Sequence, residues 1–162
     1  MGPISQHLPR RLHMTDPRSG PELLRRLRSL PQGPSDSLVE VRPLTAHIDE
    51  RGILVPLDLS ELPFQARRLF CITKVDSPMI RGCHGHKSCW QAWLCLTGEV
   101  TIEGTNGSYR FAHTLTEQSE ILIMPPGIWS LQHCYSTDAV VLVVASHSYD
   151  EQDYFFEMDG GS

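Results

Sequence analysis

Two histidines spaced two residues apart, flanked by cations, are the residues of this chain best suited to chemistry. They lie in Arg81-Gly82-Cys83-His84-Gly85-His86-Lys87, with Gln91 and Gly98 following. On a strand, His84 and His86 share one face. Imidazole titrates near neutrality, so it can take and return a proton. Arg81 and Lys87 can stabilise negative charge, on a phosphate or on a developing enolate. Lys87 is adjacent to His86, so strict alternation points it the other way unless the chain bends at the turn. These parts suit proton abstraction beside a carbonyl of an anionic substrate, which is keto–enol isomerisation or epimerisation.

The spacing resembles the first motif of the cupin superfamily, a jelly-roll barrel in which His-x-His and a following Glu supply three metal ligands. Gln91 stands at the Glu position, and Gly98 falls where the motif has its glycine. The second cupin motif, Pro-x-Gly-x-x-His, is matched by Pro125 to Ser130, with Ser130 in place of the ligating His. A divalent ion wants three or four N or O donors, ideally with an anionic carboxylate. Two neutral imidazoles and an amide fall short of that, so the expectation is no metal. His133 lies three residues past the missing ligand, which on a strand is the opposite face.

The elements that must position these residues are strands. From Ser37 onward, short apolar runs alternate with turn residues. Strands are predicted near 38–45, 53–57, 65–73, 80–86, 91–97, 99–103, 108–114, 120–124, 129–134 and 139–145. Asn106-Gly107 reads as a hairpin turn, and Pro125-Pro126-Gly127 as a second tight turn. No later segment shows a sustained helical period. Ten short strands without alternating helices mean an all-β sandwich or barrel.

Residues 1–36 read as an extension outside the main core, holding six of the twelve prolines. Within it, 20–30 can form a short helix: Ser19 to Glu22 reads as a capping box, and Leu23, Leu24, Leu27 and Leu30 share a face. The segment reads as a dimerisation or membrane-contact helix, a targeting peptide, a poorly ordered tail, or sequence ahead of a true start at Met14. Residues 37–162 form one barrel domain. The longest apolar run, Ala139–Ala145, is too short to cross a bilayer. A net charge of −5 argues against a dedicated nucleic-acid binder. Five cysteines without a CxxC pair, and no apolar signal segment, suit a reducing, cytoplasmic setting.

From about Asp49 to Met158 the chain resembles the WxcM-like cupins, sugar-nucleotide 3,4-ketoisomerases acting on dTDP-4-keto-6-deoxyglucose. The resemblance is carried by Asp49-Glu-Arg51-Gly52, Leu62-Pro63-Phe64 with Arg67-Arg68, Arg81 to Lys87, Gln91, Ile128-Trp129 and Ala145 to Tyr154. It implies a small RmlC-like jelly roll and a homodimer with N-terminal strands exchanged. It also implies a dTDP-linked keto-deoxysugar as substrate and no cofactor. By resemblance His84 and His86 do the acid–base work. Arg51, Arg68 and Arg81 meet the diphosphate, and Trp129 lines the sugar pocket, with Lys87 and Gln91 beside the substrate. Tyr149, Asp150 and Tyr154 anchor the C-terminal segment. Phe70-Cys71 replaces a usual tyrosine pair, and Gly85 a usual Ala, which adds backbone freedom. A 3,5-epimerase, another cofactor-free isomerase and a non-catalytic sugar-nucleotide binder are the competing readings.

Overall fold

The computed structural model describes residues 20–33 and 38–158. The capping-box Ser19, Met14 and the expected boundary at 36/37 lie outside the described residues. Among the described residues, twelve strands follow one short α-helix, α1 (Gly20–Arg28). The strands are β1 (Glu40–Pro43), β2 (His47–Asp49), β3 (Gly52–Leu54), β4 (Arg68–Thr73), β5 (Arg81–His86) and β6 (Gln91–Thr97). After these come β7 (Glu99–Thr105), β8 (Arg110–Thr116), β9 (Glu120–Met124), β10 (Trp129–His133), β11 (Val140–Ala145) and β12 (Tyr154–Phe155). Two five-stranded antiparallel sheets, β1-β9-β6-β11-β4 and β12-β5-β10-β7-β8, face each other as a jelly roll, and β2 with β3 makes a separate hairpin.

The apolar pattern explains the sandwich. Between the sheets lie Trp93, Cys95, Val100, Ile102, Leu122, Met124, Val141 and Val143, from alternate strand positions. The strands of the first sheet are also covered outside. Ala92, Ile121, Ile123 and Val144 pack under Leu57, Leu62, Phe64 and Ala66 of the 57–66 loop. Burial on both faces is why Ala139–Ala145 reads as an unbroken apolar run.

The second sheet is covered by α1. Leu27 is fully buried against Cys83, Trp129, Leu131, Phe155 and Met158, with Leu23, Leu24 and Leu30 around it. Burial of Leu27 contributes roughly 1.5–3 kcal/mol. The helix packs on the outer face of this sheet and is docked onto the barrel. Arg28 fastens its end with a 2.6 Å ion pair to the buried Glu103, which also pairs with His133 Nε2 at 2.9 Å and with Arg110 at 3.9 Å. Burial works to raise the Glu103 carboxyl, but His133 and Arg28 outweigh it and hold it at about 2. His133 does face away from the barrel interior, as its spacing implies.

Two strands were not legible. β2 is exposed throughout, so no apolar alternation marks it. β12 is only two residues long. The turn at Asn106 is a four-residue loop rather than a two-residue one, because β7 and β8 pair only as far as Thr105 and Arg110. Asn106 Oδ1 closes it by accepting from the Ser108 and Tyr109 amides.

Candidate active site

The site is set by an irregularity in β5. Gly82 and Cys83 both have positive φ, 80° and 59°, and the pairing with β10 shifts by one residue at Ser130/Leu131. Such a bulge re-aims the side chains that follow it. Cys83 is turned outward under α1, while His84 is opposite Ser130. His84 and His86 then meet edge-on inside the barrel, their ring centroids 5.3 Å apart.

A cleft of about 220 Å³ opens beside them, lined among others by Phe70, Arg81, His84, Gln91, Trp93 and Tyr154. The two imidazoles differ in what they can do. His84 Nδ1 donates to the Gly82 carbonyl at 3.0 Å, which leaves its Nε2 as the bare acceptor on the cleft. Burial, then the neighbouring His86, pushes His84 down to about 4. It is a neutral base at pH 7. His86 is tied at both nitrogens: Nδ1 donates to Asp153 Oδ2 at 2.8 Å, and Nε2 accepts from the Gln91 amide at 3.1 Å. Burial lowers His86 also, against the opposing pull of Asp153. For Asp153 itself, burial raises the carboxyl, but Ser88 and His86 outweigh it and hold it below the usual carboxylate range.

The C-terminal segment completes the site. Asp150 caps a short 3-10 turn, Glu151–Asp153, and β12 then pairs with β5, Tyr154 opposite His86 and Phe155 opposite Gly85. The Tyr154 ring packs on both imidazoles at 4.6 and 4.5 Å. The sequence reading gives Tyr154 an anchoring role and places Asp153 in the same C-terminal motif without a role of its own. Their signal was the Asp150–Asp153 spacing, which makes one capped turn ending beside the histidine strand.

Gly85 between the histidines marks a close approach rather than backbone freedom. A Cβ there would sit 2.2 Å from the Phe155 ring and 2.6 Å from the Ile128 carbonyl. We expect Gly85→Ala to cost roughly 1–3 kcal/mol, the usual range for overpacking, and to loosen the Asp153–His86 contact; a denaturant melt reads the loss.

The cations and Trp129 are distributed unevenly. Arg68 is half-buried, over the Phe70 ring at 4.9 Å and the Tyr149 ring at 5.6 Å, and its Nε is buried without a partner. Arg81 and Gln91 line the cleft. Lys87 does not: its Nζ donates to the Gln152 carbonyl at 2.9 Å, so it holds the C-terminal segment. Trp129 is likewise a correction. It is fully buried beneath α1 on the outer face, and its Nε1 donates to the Phe156 carbonyl. Strand alternation places Ser130, not Trp129, on the cleft. Arg51 is on the β2–β3 hairpin, 85% exposed and paired with Asp49, outside the cleft of its own chain.

Among the described residues, one group of potential metal donors, His86, Cys89 and Asp153, has its ligand atoms within 4.8 Å of one another. These donors are already engaged: Asp153 by Ser88 and His86, and Cys89 by the Trp90 carbonyl. At the cupin position, Gln91 and Ser130 offer an amide and a hydroxyl instead of a carboxylate and an imidazole. That donor set does not fit a divalent cation.

The histidine burial makes stability pH-dependent. An unfolded His84 takes a proton near 6.5, the folded one only near 4. Between these values the unfolded state binds more protons, so stability rises with pH. The contribution is complete above 6.5 and lost as pH falls to 4, roughly 3 kcal/mol in all. Melts from pH 7 to 4 should show this loss, and His84→Asn should flatten it.

Comparison with known proteins agrees with the geometry. A curated relative, TDP-4-oxo-6-deoxy-alpha-D-glucose-3,4-oxoisomerase of Aneurinibacillus thermoaerophilus, is 36% identical over 115 residues, covering 69% of this chain and 81% of its own. A mutant of the 3,4-ketoisomerase QdtA from Thermoanaerobacterium thermosaccharolyticum, solved in complex with TDP-4-keto-6-deoxyglucose, superposes with a TM-score of 0.72. It is 31% identical and covers 76% of this chain and 90% of its own. The rmlC epimerase of Mycobacterium tuberculosis, at 16% identity, shares the fold, with a TM-score of 0.64 over 76% of this chain and 70% of its own. The family described as FdtA: WxcM-like, C-terminal matches residues 37–160, and the chain belongs to that family.

Proposed function

We propose that the chain is a TDP-4-keto-6-deoxyglucose 3,4-ketoisomerase that moves protons with imidazole and without a metal. The observation that carries this reading is the asymmetry of the histidine pair. His84 presents a neutral, unshared Nε2 to the cleft, while His86 is held by Asp153 and Gln91. His84 takes the C3 proton of the 4-keto sugar to give an enediol, and a proton delivered to C4 leaves the 3-keto sugar. Arg68 and Arg81 lie where they can balance the charge of the enolate and the diphosphate. His86 then orients His84 through ring contact and keeps the base neutral by its proximity. The TDP-linked keto sugars named for the chain's relatives support the choice of substrate.

An epimerase reading has less support, because the epimerase likeness extends to the fold alone. The test is direct. Purified protein and TDP-4-keto-6-deoxyglucose should give the 3-keto isomer by NMR; no conversion by a folded sample rejects the proposal. Deuterium uptake separates the readings, since a 3,5-epimerase also labels C5.

We further propose a homodimer joined by the β2–β3 hairpin. Ile48, Ile53 and Leu54 are 74%, 64% and 65% exposed on it, an apolar face that one chain leaves uncovered. Exchange of this hairpin would deliver Arg51 to the partner's cleft, where a guanidinium suits the diphosphate. Ile53→Asp should shift the mass in sedimentation from dimer to monomer. A cytoplasmic location is part of the same proposal, supported by five cysteines among the described residues that form no disulfide with one another. No helix among the described residues is long and apolar enough to cross a membrane.

A further inference from the structure

The isomerisation needs one hydrogen to move between carbons and one between oxygens, and His84 accounts only for the first. The C3–H proton goes to the imidazole and returns at C4. The O3 hydroxyl must also lose its proton, and O4 must gain one. A group that both donates and accepts a proton at neutral pH is required within reach of both oxygens.

The cleft offers few candidates. His86 is committed at both nitrogens. Gln91 and Gln132 carry amides, which do not exchange protons on this scale. Ser130 has an aliphatic hydroxyl, far too weakly acidic. Cys71 flanks the inward-facing Phe70 and Ile72 on β4, which turns its thiol to the other face. The Tyr149 hydroxyl is exposed and hydrogen-bonded to Glu151 at 3.3 Å.

Tyr154 differs from all of these. Its ring lies against both imidazoles, it lines the cleft, and the Arg68 guanidinium is close enough to favour its phenolate. The guanidinium has a buried Nε with no protein partner, so a donor is left over for a substrate oxygen. Burial raises the phenol while Arg68 opposes it, so the resting hydroxyl is protonated and a transient phenolate has a cation beside it.

We propose that the Tyr154 phenol is the relay that carries the O3 proton of the sugar to O4, with Arg68 holding the charge as it passes. This rests on the ketoisomerase reading above. As His84 breaks the C3–H bond, the pair forms C3=C4 and the C4=O π pair moves to O4, which takes the phenolic proton. The phenolate then takes the O3 proton, C3=O forms, and the C3=C4 pair takes the imidazolium proton at C4. C3 is oxidised, C4 is reduced, and His84 and Tyr154 return to their starting states, so no co-reactant is needed.

Tyr154→Phe keeps the ring and removes the hydroxyl. Reactions in D2O with TDP-4-keto-6-deoxyglucose should be followed by NMR for product and for deuterium at C3 of recovered substrate. Product formation should fall about 10²–10⁴-fold, and the ratio of C3 exchange to conversion should rise at least about tenfold. Enolates that cannot exchange the oxygen-bound proton revert to substrate. An unchanged ratio, with both rates falling together, overturns the relay and leaves Tyr154 as a positioning residue. Full activity of the variant also overturns it. Absence of both exchange and conversion in the wild-type protein overturns the ketoisomerase reading, and the relay with it.

Discussion

Replacing His84 with Asn should lower turnover by about 10²–10⁴-fold, the usual worth of a positioned base, and abolish deuterium exchange at C3 of the substrate. The fold should survive, because His84 is held by one backbone hydrogen bond and the cores lie elsewhere. His86→Asn should behave differently. It removes the link between Asp153 and Gln91, so it weakens β12 as well as the chemistry, and its melting temperature falls with its rate. A loss below about threefold at both positions would be too small for acid–base catalysis and would mean that the proton moves by another group. Steady-state rates, exchange by NMR and thermal melts on the same samples make the comparison.

The second expected result is a gain. Gln91→Glu together with Ser130→His should convert a site with no useful affinity for divalent ions into one that binds zinc or manganese tightly. Gln91 Nε2 already contacts His86 Nε2 at 3.1 Å, and Ser130 is in register with His84. The double variant would therefore point a carboxylate and a third imidazole at the two existing ones, the four-donor set such ions prefer. Calorimetry with zinc should show one site per chain in the double variant and none of comparable affinity in the wild-type protein. Binding should also draw on the His84 lone pair and so suppress isomerisation. Equal affinity in both proteins would show that Gln91 and Ser130 are not what keeps the ion away.

How much of this was legible follows from burial. The strands of the two sheets announce themselves through alternating side chains such as Gln91, Trp93 and Cys95, which face one core. The His84/His86 pair on one face is the same rule applied to a polar strand. What the pattern could not show is which face. Trp129 and Ser130 are neighbours on β10, and the motif position favoured the tryptophan; the presence of α1 over the outer face decides that the tryptophan is structural. The division of labour within the histidine pair was equally out of reach, because it depends on Asp153, 67 residues from His86. Lys87 pointing away is what alternation alone predicts. Arg51 shows a different limit: a residue on an exposed hairpin has no cleft of its own to mark its role.

The central claim is that His84 moves the C3 proton unaided by a metal. The most direct test is turnover of TDP-4-keto-6-deoxyglucose after exhaustive dialysis against a chelator, with bound metal determined on the same sample. Full turnover with metal far below one ion per chain is the predicted result. Turnover that disappears on chelation and returns in proportion to added zinc or manganese would contradict it.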